Sequence, residues 1–133
     1  MTAMSDVLEN AVLDLILRNT PLSTAGISTG TVFAALFVTP TTDTGGGVEV
    51  VGGGYTRVSV ANFTVPASGS ASNSTTATFP TALANWGTVT HFALFDAVSG
   101  GNMLFHGPLT TPKVVNAGDS FVFPVGNITI SID

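Results

Sequence analysis

Thr88–Ala97 reads TVTHFALFDA, and its counterpart Thr31–Thr39 reads TVFAALFVT. Both are short apolar runs rich in β-branched and aromatic residues. Thr31–Thr39 is apolar on both faces, as expected of a strand in a sandwich core. Pro40 ends that run, and Ser99-Gly100-Gly101-Asn102 follows the other as a hairpin-type turn into Met103–Gly107. Working outward, Tyr55–Phe63, Thr75–Phe79 and Ser120–Phe123 read as further strands. In the last strand Ile128, Ile130 and Ile132 face one way, and Thr129 and Ser131 the other. Val48–Val51 is a short segment between Gly45–Gly47 and Gly52–Gly54, and residues 66–74 form a Ser/Ala/Gly/Asn loop. Strands at short spacing with turns between them predict a mainly β fold, an antiparallel β-sandwich or barrel-like domain over residues 31–133.

One amphipathic α-helix precedes it, within a segment 1–21. Ser5 caps the helix, Asp6 and Glu9 place negative charge in its first turn, and Arg18 places positive charge in its last. Val7, Leu8, Ala11, Val12, Leu15 and Ile16 make an apolar stripe opposite Asp6, Asn10, Asp14 and Arg18, and Leu13 and Leu17 broaden it. Asn19-Thr20-Pro21 stops the helix. Two readings stay open: a helix packed on its own sheet, or an arm docked on a neighbouring subunit with residues 22–30 as hinge. The candidate interface residues are Val7, Leu8, Val12, Leu13, Leu17, Tyr55 and Trp86, with Trp86 the single aromatic anchor and structural by default.

Only 8% of the 133 residues are charged and 44% are hydrophobic, against about 25% charged in ordinary domains. Thr, Ser, Asn and Gly must therefore wet the surface, and much of it is expected to face other protein. Disorder is excluded, because it requires low hydrophobicity with high net charge. The net charge is −5 and the cations are Arg18, Arg57 and Lys113, too few and too scattered for a phosphate footprint, so nucleic acid is excluded as a partner. No cysteine is present, which removes disulfides, thiol nucleophiles and thiolate metal sites. No stretch has the form of a signal peptide or of a membrane span, so the expectation is cytoplasmic synthesis and no membrane partner.

Residues that carry chemistry are few. His91 and His106 lie in strands that a hairpin brings together, but Asp96 falls on the opposite face of a regular strand from His91. Catalytic zinc normally takes three protein ligands, so two half-buried structural histidines are expected. The glycine runs are not followed by Lys-Ser/Thr and open no helix; they read as flexible loops. Asp43, Glu49, Asp96, Asp119 and Asp133 show no calcium-loop spacing, and Asp96 and Asp119 read as turn residues. The Asn-x-Thr triplets at Asn62, Asn73 and Asn127 carry no weight without a leader. Tyr55 and Trp86 stand far apart in the sequence, which argues against an aromatic ligand platform. No catalytic residue, cofactor site or metal site is expected, and the protein reads as no enzyme.

An ordered series spans nearly the whole chain. Phe33-Ala34-Ala35-Leu36-Phe37 leads to Glu49-Val50, Gly52-Gly53-Gly54 and Tyr55-Thr56-Arg57. Phe79-Pro80, Asn85-Trp86-Gly87-Thr88-Val89-Thr90-His91 and Phe95-Asp96 follow. It ends with Gly100-Gly101-Asn102-Met103-Leu104-Phe105-His106-Gly107, Leu109, Lys113, Asn116-Ala117-Gly118-Asp119 and the Ile128–Ile132 strand. This series resembles a family of small virion structural proteins of tailed bacteriophages, with an N-terminal helix before a β domain.

The resemblance implies a non-catalytic component of the virion, made in the host cytoplasm. Its implied partners are other virion proteins, the major capsid protein or tail proteins, and further copies of itself. The chain has no heptads and no repeat to build a shaft. The first expectation is therefore a capsid cement or decoration protein that stabilises the head through the helix and the loops at 40–54 and 66–74. The alternative is a tail or tail-fibre component acting as a receptor-binding adhesin. A carbohydrate-binding or hydrolytic domain ranks last.

Overall fold

The computed structural model describes residues 2–132. A two-residue strand β1 (Ala3–Met4) leads into α1 (Asp6–Arg18), and a 3₁₀ turn follows at Leu22–Ala25. The remaining strands are β2 (Val32–Phe37), β3 (Val58–Val60), β4 (Ser70–Ser72), β5 (Ala77–Thr78), β6 (Gly87–Phe95), β7 (Met103–Val115), β8 (Val122–Phe123) and β9 (Thr129–Ser131). They form a five-stranded antiparallel sheet in the order β1-β7-β6-β2-β3, with two short antiparallel pairs, β4-β9 and β5-β8. The arrangement is sandwich-like and does not close into a barrel.

The central pair β2 and β6 explains why both decisive stretches are apolar on both sides. Ala34 pairs with Leu94 and Leu36 with Phe92; these side chains share one face. That face packs on Phe79, Phe121, Phe123, Ile128 and Ile130 from the short strand pairs and their connections, in an aromatic-rich core. Ala35, Phe37, Ala93 and Phe95 alternate onto the other face, where they join Met103 in a smaller cluster. Residues between β2 and β3 cover this second cluster, with the Arg57 guanidinium 3.6 Å above the Phe95 ring.

Among the elements that escape the sequence reading, two shape the sheets. β7 runs to Val115 rather than ending at Gly107, because its pairing with β6 shifts between Val89 and His91. The extra residues around Leu109–Pro112 are accommodated as a bulge, so Pro108 and Pro112 do not end the strand. The 66–74 loop also contains β4, pinned by Asn73. Asn73 is fully buried; its Nδ2 donates to Thr75 O and Pro124 O, and its Oδ1 accepts from Ile128 N–H. A side chain so enclosed offers no glycosylation site.

The Gly52–Gly54 run, expected to be a flexible loop, is a fitted turn. All three glycines have positive φ, and a Cβ on Gly53 would lie 3.0 Å from Trp86 Nε1. Only glycine allows that backbone conformation and that approach together.

The helix packs in cis. Leu8 and Ala11 meet Ile27 and Leu104, while Met4, Val12 and Leu22 are partly buried around them. Ser5 does two jobs: its Oγ accepts the Leu8 N–H as the helix N-cap and donates to the Met103 carbonyl of β7. Ser5 N–H also donates to Leu104 O, and β1 pairs with Phe105 and His106. Segment 1–21 is thereby joined to the sheet edge by strand pairing, capping and apolar contact.

Candidate functional site

The hairpin of β6 and β7 brings the histidines to one face. His91 lies opposite Pro108 and Ala93 opposite His106, so the two rings are diagonal neighbours. They do not share a carboxylate. His106 Nε2 is 2.8 Å from Asp43 Oδ1, and its Nδ1 is 2.8 Å from Thr41 Oγ1. This clips the 40–47 turn onto the sheet, and Asp43 O also accepts the Asp6 N–H at the start of α1. His91 Nδ1 lies 2.9 Å from Thr90 Oγ1. Partial burial, then the nearby His106, holds its pKa below the ordinary imidazole value of 6.5, which keeps the ring neutral at neutral pH.

Asp96 acts in its own hairpin, as a turn residue. Its Oδ1 accepts the Asn102 N–H at 2.7 Å, and its Oδ2 accepts the Ser28 N–H and Asn102 Nδ2. Burial alone would raise its pKa, but these hydrogen bonds outweigh it and hold the carboxyl below the usual range. Asp119 Oδ2 accepts the Asn116 N–H in a second turn. Asp133 lies outside the described residues. Among the described residues no group of three or more His, Cys, Asp and Glu converges on a common point.

The densest polar cluster is Glu49, Tyr55 and Arg57. Arg57 grips Glu49 with two bonds, Nε to Oε2 at 2.9 Å and Nη2 to Oε1 at 2.8 Å. Its Nη1 donates to the carbonyls of Ala97 and Gly100. The Tyr55 hydroxyl donates to Glu49 Oε2 at 2.6 Å and accepts the Leu36 N–H at 3.0 Å. Burial, followed by the hydrogen bond to Glu49, drives the phenol pKa far above its ordinary range. Every strong group in this cluster is therefore committed to another part of the chain. Its chemistry is that of a staple joining the 49–57 loop, β2 and the β6-β7 hairpin.

The two aromatic candidates belong to the same region. Tyr55 and Trp86, far apart in sequence, meet edge to face with ring centroids 5.4 Å apart, and Trp86 Nε1 donates to Gly53 O. Trp86 is buried in the main core, so the structure assigns it to packing and not to the surface. Leu8 is likewise buried, on the face of α1 that meets Ile27 and Leu104. Sequence spacing gives no hint of the Tyr55–Trp86 contact, because the fold closes it through the glycine turn.

The rest of the helix set divides. Val12 is partly buried, whereas Val7, Leu13 and Leu17 are exposed. Ile16, a member of the apolar stripe, is 73% exposed and lies beside Leu13 and Leu17. A helix that is apolar on two sides has a second face to bury.

The architecture defines a small β-sandwich-like protein whose polar clusters fasten its own loops and whose helix turns aliphatic side chains outward. The family comparison is consistent with that class. The model of a family described as "Podophage GP4 fiber I protein gp80" matches residues 3–131. The chain belongs to this family of tailed-phage virion proteins, and is thus a component of the virion. No curated protein matches the chain.

Proposed function

We propose that the protein is a fibre-type component of the phage particle, acting by protein contact without catalysis. The observation that carries this reading is the family match to a fibre protein over residues 3–131. Glu49, Arg57, Asp96 and His106 are engaged in bonds that fasten loops of the chain to one another, in keeping with a contact role. Its partners on this reading are other virion proteins, tail proteins first, and it is made in the host cytoplasm.

A capsid cement role is the second reading. It is favoured by compactness: α1 and the sandwich form one packed unit with no shaft-like segment among the described residues. Particles lacking the protein separate the two. A fibre component predicts intact heads that adsorb poorly to the host. Heads that leak DNA on heating or osmotic shock, with normal adsorption, would instead establish the cement role.

A further inference from the structure

The sandwich and the arm made of β1 and α1 rest on different apolar clusters. The main core runs through residues from Ala34 to Ile130 and, among the described residues, takes no side chain from the arm. The arm sits on a satellite of Leu8, Ala11, Ile27 and Leu104, and α1 buries only two of its 13 residues. Segments with separate clusters can open separately. The polar ties to the sandwich lie at the front of the arm. Thr2 Oγ1 accepts the Ser131 N–H, β1 pairs with Phe105 and His106, and Ser5 bonds to Met103 and Leu104. Asp6 N–H donates to Asp43 O. At the rear, Asn19 and Gly26 take left-handed φ of 54° and 75°. From Gly26 on, the chain is fastened to the β6-β7 turn: Asn102 Nδ2 donates to Gly26 O, and Ser28 N–H donates to Asp96 Oδ2, each at 3.0 Å.

We propose that residues 2–25 form a releasable strap, which leaves the sheet as one unit about the Gly26 pivot while the sandwich stays folded. Opening breaks the front clasp and uncovers Leu8, Ala11, Ile27 and Leu104, but it leaves the main core intact. Off the sheet, a helix of 13 residues is marginal by itself, so release and unwinding are one step. The clasp at residues 2–6 and the fastened pivot set the two ends of the moving unit. In the open state Leu8 and Ala11 join Leu13, Ile16 and Leu17, which are already exposed. Both apolar sides of α1 then become available for contact. The strap is a property of the isolated chain and does not rest on the fibre reading.

The test is native-state amide exchange of the purified full-length chain, read residue by residue by NMR. The amides of Ser5, Asp6 and Glu9–Leu13 are expected to share one protection. It should lie on the order of 100-fold or more below that of β2 and β6 around the Ala35–Ala93 pair. Ile128→Val weakens the main core. It is expected to speed exchange in β2 and β6 several-fold and to leave the α1 amides unchanged, because the closed and open strap both keep that contact. Ile130→Val, in the same core, serves if Ile128→Val does not fold. Wild-type α1 amides as slow as those of β2 and β6 overturn the proposal. So do α1 amides that speed up together with β6 in Ile128→Val, since the helix then opens only with the whole chain. Protection that falls away smoothly from Glu9 to Arg18, with Ser5 and Asp6 as slow as β6, is fraying of the helix end and overturns it as well.

Discussion

The loop-covered face of the sheet and the outer face of α1 treat their side chains in opposite ways. Over Phe37 and Phe95, the 49–57 loop places a buried arginine, a carboxylate and a tyrosine and satisfies each of them. On α1, Leu13, Ile16 and Leu17 are left in solvent although the helix has already buried Leu8 and Ala11. Ordinary surfaces do the reverse, with charge outward and aliphatic side chains inward. With few charges to spend, this chain uses its strongest ones to fix loops. What remains for recognition by other molecules is apolar area and the small polar groups of Thr, Ser and Asn.

The comparison is broken most forcefully at Arg57. Arg57→Ala leaves Glu49 with only the Tyr55 hydroxyl and two carbonyls without a donor; because Glu49 keeps some contact with solvent, about 3 kcal/mol is expected, the lower end of what breaking a buried pair costs. Denaturant unfolding reads this as a lower midpoint; a loss below about 1 kcal/mol would show that the staple is ornamental. Tyr55→Phe keeps the ring against Trp86 but strands the Leu36 N–H, for an expected loss of about 1–3 kcal/mol in the same measurement.

At the helix, Ser5→Ala removes the N-cap and a bond to Met103 O, and about 1 kcal/mol is expected from the cap alone. Thermal unfolding and amide exchange in the first turn of α1 check it. A smaller effect comes with acid. The folded pKa of Asp96 lies below its ordinary 3.8, so the unfolded chain binds more protons in the window just beneath that value. Stability from Asp96 is therefore complete above that window and is lost as pH falls through it. Asp96→Asn should flatten this part of the acid-unfolding curve.

Least of all should Leu17→Ser matter to folding. A surface site of this kind changes stability by less than about 0.5 kcal/mol.

How much of this was legible in the sequence depends on the range of the interactions. The α1 boundaries follow from Ser5, Asp6, Glu9 and Arg18, all local signals. β2 and β6 follow from alternation that is apolar on both faces. The β7 extension was hidden because its pairing with β6 passes through a bulge around Leu109–Pro112, a long-range feature that leaves no local alternation to read. The Glu49–Arg57–Tyr55 staple and the Tyr55–Trp86 contact were hidden because they arise from closure of a glycine turn, which leaves no periodic trace. The exposure of Ile16 was open for a different reason. Helical spacing identifies apolar positions but not which of two apolar sides meets the sheet.

The central claim, that the outer face of α1 exists to be covered, has a direct test because the chain has no native cysteine. Single cysteines at Ile16 and at the exposed Thr110 give maleimide two sites to report in assembled particles and in denatured chain. The account predicts that Cys at position 16 is shielded in the particle while Cys at position 110 labels freely. Equal labelling of both in the particle would contradict it.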